Sequence, residues 1–152
     1  ELIESAVREG DEMIDFGCGS GILSIAALLL GASHAVAVDI DPVARDIAEE
    51  NLLRNDIDPA RYRIYAGDVL ADGFVRSAVL GSYDLLAANI VADVIIRLAP
   101  FARRCARLGA SFITSGIIGE RKNEVFAALV QAGFAVERVL ESDDWVAILS
   151  RA

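Results

Sequence analysis

Histidine occurs once, at His34, and cysteine twice, at Cys18 and Cys105. A single imidazole gives a histidine-based metal site or a Ser-His nucleophilic triad too little to work with. The two thiols lie far apart with no CxxC spacing, which sets aside a disulfide framework and a zinc signature alike. Long apolar runs are missing too: the longest, Ile22 to Leu30, is interrupted by Ser24 and falls short of the ~20 residues that a bilayer span requires. Glu1, Glu4, Glu9 and Asp11 stand where a signal peptide would carry basic residues, so the chain reads as soluble and cytoplasmic, with no membrane partner. Cations are in short supply, with 14 Lys and Arg against 23 Asp and Glu and a formal net charge of −9. Such a surface repels a phosphate backbone and favours a basic protein as partner.

What is present is an apolar chain, 55% hydrophobic over 152 residues, enough for one domain spanning residues 1–152 with a sizeable core. Strand and helix patterns alternate. Glu12 to Phe16 reads as a short strand, and Ile22, Ile25, Ala26 and Leu29 then recur at helical spacing until Gly31. His34 to Val38 is a second strand ending at Asp39; Asp41 is a good N-cap with Pro42 at the first helical position, and Ala44, Ile47 and Ala48 form a stripe. Asn55, Asp58 and Pro59 mark a turn, Arg61 to Tyr65 a third strand running into Gly67-Asp68, and Tyr83 to Ala88 an apolar central strand ending at Asn89. Val91, Val94, Ile95 and Leu98 continue as a helix, bent or restarted at Pro100 and closed by Gly109. Ala110 to Thr114 is a fifth strand, and Glu120 to Ala132 a helix with Val125, Phe126, Leu129 and Val130 inward.

Phe134 to Leu140 and Trp145 to Leu149 are strands separated only by Glu141 to Asp144. That connection permits an antiparallel hairpin but no parallel crossover. The expected architecture is therefore α/β: a Rossmann-like, seven-stranded, mostly parallel sheet with an antiparallel C-terminal hairpin and helices on both faces. Ligands bind such sheets at the carboxyl ends of the strands, where Gly17, Asp39, Asp68 and Asn89 all fall.

The chemistry concentrates in Asp15-Phe16-Gly17-Cys18-Gly19-Ser20-Gly21, a glycine loop that follows a strand and opens a helix. Its spacing is GxGxG. A dinucleotide fingerprint would need Gly or Ala where Ile22 stands, which argues against a pyrophosphate at the helix N-terminus. S-adenosylmethionine fits better, its amino-acid portion held by loop backbone and its ammonium by Asp15. Asp39, 18 positions past Gly21, can accept both ribose hydroxyls, and Asp68 the adenine amino group. Asn89, where the fourth strand meets its helix, offers a carbonyl to an incoming amine. The expected cofactor-binding set is Asp15, Gly17, Cys18, Gly19, Gly21, Asp39, Ile40, Asp68, Val69 and Asn89, with Asn89 also catalytic. His34 reads as a strand-start surface residue, Arg103, Arg104 and Arg107 as a solvated helix face, Cys18 as small filler, and Trp145 as core, with its place near the C-terminal end of the sheet keeping a stacking platform open.

On these motifs the chain resembles the class I S-adenosylmethionine-dependent methyltransferases. The strings Ile14 to Leu23, Asp39-Ile40-Asp41-Pro42, Asn89-Ile90-Val91-Ala92, Ser115-Gly116-Ile117 and Asp144-Trp145 resemble the ribosomal protein L11 methyltransferase (PrmA) family. Relatives that act on planar nitrogens follow the Asn with Pro-Pro-aromatic, whereas Asn89 is followed by Ile90 and Val91, which suits an aliphatic amine. The resemblance implies methylation of amino groups on a small basic ribosomal protein. It covers the catalytic domain only: the recruiting domain and threonine-rich segment of that family have no counterpart here, so a catalytic fragment or a reduced relative is expected. The alternatives are a methyltransferase of the same fold acting on a small molecule or RNA, and a non-catalytic cofactor-binding module.

Overall fold

A computed structural model describes residues 1–152. In chain order the elements are α1 (Leu2–Ala6), β1 (Glu12–Phe16), α2 (Ile22–Leu29), β2 (His34–Asp39), α3 (Pro42–Arg54), β3 (Tyr62–Ala66), α4 (Gly73–Val79), β4 (Tyr83–Asn89), α5 (Ala92–Cys105), β5 (Ala106–Ile118), α6 (Lys122–Gln131), β6 (Ala135–Ser142) and β7 (Trp145–Arg151). The seven strands pair in the order β3-β2-β1-β4-β5-β7-β6. All neighbours are parallel except β7, which is antiparallel to both β5 and β6. From β3 the chain crosses over to β4 on the far side of β1, so the order reverses between β1 and β4. That reversal opens a crevice at the carboxyl ends of these strands.

The two faces of the sheet follow from strand alternation. Met13, Ala35 and Leu85 stand in one register row and Ala87 and Ile113 in the next on the same face, and all pack with residues of α1, α2 and α3. Ile14, Phe16, Val36, Val38, Leu86, Ala88 and Phe112 take the opposite face, under α4, α5 and α6. Leu85 to Ala88 is buried on both sides, as that apolar run predicts, whereas Asp84 near the start of the strand stays half-buried. Asp41 caps α3 by accepting the Val43 N–H at 2.9 Å, ahead of Pro42.

Several local expectations are corrected. Val125 and Leu129 are fully buried, but Phe126 and Val130 are 42% and 50% exposed, because their ridge is rotated about 100° from the buried one. Ile22, Leu29 and Ile47 also face outward, leaving burial to Ile25, Ala44 and Ala48. α5 runs through Pro100 without a restart. Gly109 does not close that helix; it lies inside a longer β5, with its N–H donated to the Ala152 carbonyl. Arg107 therefore leaves the helix face and pairs with Glu12 and Asp84 at the amino ends of β1 and β4. α4, capped by Asp72, follows a stretch without clear apolar periodicity and is absent from the sequence reading. The hairpin turn narrows to Asp143-Asp144.

Candidate functional site

β1 delivers the chain into a loop fastened to β2. Gly17 N–H donates to the Val38 carbonyl at 2.8 Å, and Gly19 N–H to Asp39 Oδ2 at 2.8 Å. The other Asp39 oxygen takes the Asp41 N–H at 3.0 Å. Asp39 thus bridges the loop and the start of α3, and each oxygen keeps a lone pair for a ligand hydroxyl. Asn51 of α3 donates to the Ser20 carbonyl at 2.9 Å, tying the far side of the loop down.

The glycines divide their tasks. Gly17 has φ +72, and a Cβ on it would lie 2.3 Å from Ile90 Cγ2, so its bareness makes room for the chain after β4. Gly21 would meet Ala48 at 3.1 Å, whereas Gly19 faces open space. Close approach of a ligand is therefore available at Gly19. Cys18 is buried against Ala37 and Ala48, and burial pushes its thiol up to about 12, which keeps it inert.

Asp15 is fully buried. Its Oδ2 accepts the Ser24 hydroxyl at 2.9 Å, while Oδ1 has no partner. Burial raises its pKa to about 6, against the lowering effect of Ser24. A buried carboxylate oxygen without a donor is costly. An ammonium seated on the loop, directly or through water, would satisfy it, and on this count the residues present fit S-adenosylmethionine.

Two cavities open along the crest. The first, of about 350 Å³, is lined by Gly17, Asp39, Ile40, Asp68 and Val69 together with apolar walls from Val38, Leu70, Ile90 and Leu98. Its size and its mostly apolar lining with a few acids suit an adenosine. Asp68 Oδ1 accepts the Leu70 N–H at 2.7 Å, so it also serves its own turn. The second cavity, of about 700 Å³, is lined by Asn89, Ser115, Gly116, Leu140, Glu141 and Trp145 among others. Ile90 and Val91 line both cavities, placing the Asn89-Ile90-Val91 strip between them.

Of the expected residues, Gly17, Asp39, Ile40, Asp68 and Val69 line the first cavity and Asn89 the second. Asp15, Cys18, Gly19 and Gly21 line neither, and Asp15 and Gly19 reach the site only through the loop. Trp145 is not core: it is 58% exposed at the end of the sheet, opposite the exposed Ile118, and forms the rim of the second cavity, the position on which its alternative role rested. His34 begins β2, at the amino end of the strands away from the crest; burial lowers its pKa, as does Arg63. Sequence reasoning misses Gly67, Ile90, Ser115 and Gly116 as lining residues. Only the Ser-Gly-Ile string signalled the last two.

A sheet in this order, with a glycine loop after β1 and acids at the ends of β2 and β3, is the fold of class I methyltransferases. A crystal structure of ribosomal protein L11 methylase from Lactobacillus delbrueckii subsp. bulgaricus superposes with a TM-score of 0.87 at 30% identity, over 97% of this chain and 73% of that one. The family model for ribosomal protein L11 methyltransferase (PrmA) matches residues 1–152, and the chain belongs to that family. Ribosomal protein L11 methyltransferase from an Exiguobacterium species is 45% identical over 151 residues, and that from Bacillus subtilis 43% over 152. Each comparison covers 99% of this chain and 46% of the relative, so the chain spans about half the length of these curated relatives.

Proposed function

We propose that residues 1–152 form a methyltransferase domain that transfers a methyl group from S-adenosylmethionine to amino groups of a basic protein, ribosomal protein L11 in the first instance, in the cytoplasm. The observation that carries this reading is the shared wall. A cavity suited to adenosine and a second, larger cavity meet at Ile90-Val91, beside Asn89, and bimolecular transfer needs two sites meeting at one reacting point. Membership of the L11 methyltransferase family and the net charge of −9 supply the substrate class.

S-adenosylmethionine, when bound, supplies both the methyl group and its sulfonium leaving group, so the protein has to bind, orient and desolvate. Asp39 takes the ribose, Asp68 closes the adenine end, and Asp15 answers the ammonium below the Gly19 loop. On the other side Leu140, Val146 and Trp145 give the amine an apolar approach. Desolvation there disfavours the ammonium form of a lysine, whose ordinary pKa is about 10.4. Two acids at the rim, Glu1 and Glu141, are already paired with Arg138 and Lys122. The amine proton therefore leaves to water, and the Asn89 carbonyl orients the neutral nitrogen.

Radiolabelled transfer to L11, to ribosomal RNA and to a metabolite extract tests the proposal. Label in L11 that disappears in Asn89→Ala, with cofactor affinity retained, is the expected result. Label in RNA or metabolites alone would overturn the substrate class, and cofactor binding with no label in any pool would leave a binding module.

A further inference from the structure

β4 ends beside β5, with Asn89 in register with Ser115. The Ser115 hydroxyl donates to Asn89 Oδ1 at 3.1 Å, and the Ile90 N–H donates to the Ser115 carbonyl at 3.1 Å. Gly116, at φ +77, passes so close that a Cβ there would lie 3.0 Å from Asn89 Oδ1 and 2.9 Å from the Ile90 carbonyl oxygen. Ser115-Gly116 is thus a bracket clamped onto Asn89-Ile90, and Asn89, Ser115 and Gly116 all line the larger cavity.

The proton count at this bracket has a chemical consequence. A hydroxyl has one proton and two lone pairs, and the Ser115 proton is committed to Asn89. Toward the cavity Ser115 Oγ can then only accept, while Asn89 Oδ1 keeps one lone pair. We propose that Ser115 is a second acceptor for the incoming amine as well as the residue that orients the Asn89 amide. This rests on the reading that the amine binds at Asn89. A neutral primary amine has two N–H bonds, one for Asn89 Oδ1 and one for Ser115 Oγ. Its lone pair is then directed away from both acceptors, toward the shared wall with the cofactor cavity.

The test uses steady-state methylation of L11, with S-adenosylmethionine affinity measured by calorimetry. Ser115→Ala and the nearly isosteric Ser115→Cys should each lower kcat by about tenfold, the loss expected for one hydrogen bond to a reacting group. Cofactor affinity should stay within about twofold. Ser115→Thr, which keeps the hydroxyl and has cavity space for its methyl, should recover most of the rate. A Cys variant at full rate would show that Ser115 only fills space and overturn the inference, as would loss of cofactor binding in the Ala variant. If Asn89→Ala also turns over at the wild-type rate, the placement of the amine itself is wrong.

Discussion

A carboxylate removed from water holds its proton more tightly, and Asp15 shows this with a pKa raised to about 6, chiefly by burial. Its ordinary value is 3.8, so the folded protein binds this proton more tightly than the unfolded chain. The resulting stabilisation is complete below the unfolded value and is lost as pH rises through about 6, amounting to about 3 kcal/mol. Of its two ionisable neighbours, Cys18 stays a neutral thiol across that window, and Asp39 adds only a small repulsion to the burial effect. Without cofactor, Asp15→Asn should be more stable than wild type at pH 7.5 and similar at pH 4, as read by urea unfolding. Cofactor affinity should move the other way: it strengthens from pH 5 to pH 7.5 in wild type and is about tenfold weaker, and flatter with pH, in Asp15→Asn. Equal cofactor affinity in the variant would remove Asp15 from the ammonium site. Gly17 makes a steric prediction. Gly17→Ala must adopt φ +72 and displace Ile90, whose Cγ2 would be 2.3 Å away, at a cost of about 2 kcal/mol or more. Adding Ile90→Ala should recover part of that stability, which a thermal melt of the two variants would detect.

At the level of helices and strands, α6 separates burial from hydrophobicity. Leu129 and Phe126 are both apolar, yet Leu129 is fully buried and Phe126 is 42% exposed. Leu129→Ala should cost about 2–5 kcal/mol through the cavity it leaves, and Phe126→Ala about 0.5 kcal/mol; chemical denaturation of the pair would distinguish them. The reverse ranking would mean that the helix is turned. This helix also shows the limit of periodicity, which finds the apolar positions but cannot say which of two adjacent i, i+4 ridges meets the sheet. The strand alternation, the Asp41-Pro42 cap and the GxGxG loop were legible because each depends on residues near in sequence. The brackets of the site were not. Gly17 is bare because of Ile90, and Gly116 because of Asn89 and Ile90; neither partner is adjacent in sequence. The choice between the two roles of Trp145 was open for a similar reason, since its exposure follows from where β7 begins relative to Ile118.

Over the whole molecule, charge and site lie in a consistent relation. The amino ends of β1 and β4 hold a closed cluster in which Arg107 is matched by Glu12 and Asp84. The opposite end carries the hairpin acids Asp143 and Asp144, which have no basic partner among the ion pairs, beside the rim residues Trp145 and Glu141. Unpaired acids beside the proposed amine cavity would raise the local concentration of a basic protein and accelerate its encounter. This attraction is screened: the Debye length falls from about 30 Å at 0.01 M salt to about 8 Å at 0.15 M. Raising salt across that range should lower kcat/KM for L11 by roughly an order of magnitude through KM, with kcat nearly unchanged. Asp143→Asn with Asp144→Asn should flatten the dependence. Asn tolerates the positive φ of +52 at position 143, so the turn survives the exchange. If kcat/KM instead rises with salt, the field opposes the substrate. A basic protein would then be the wrong partner, and a polyanion held off by the same acids would become the substrate to pursue.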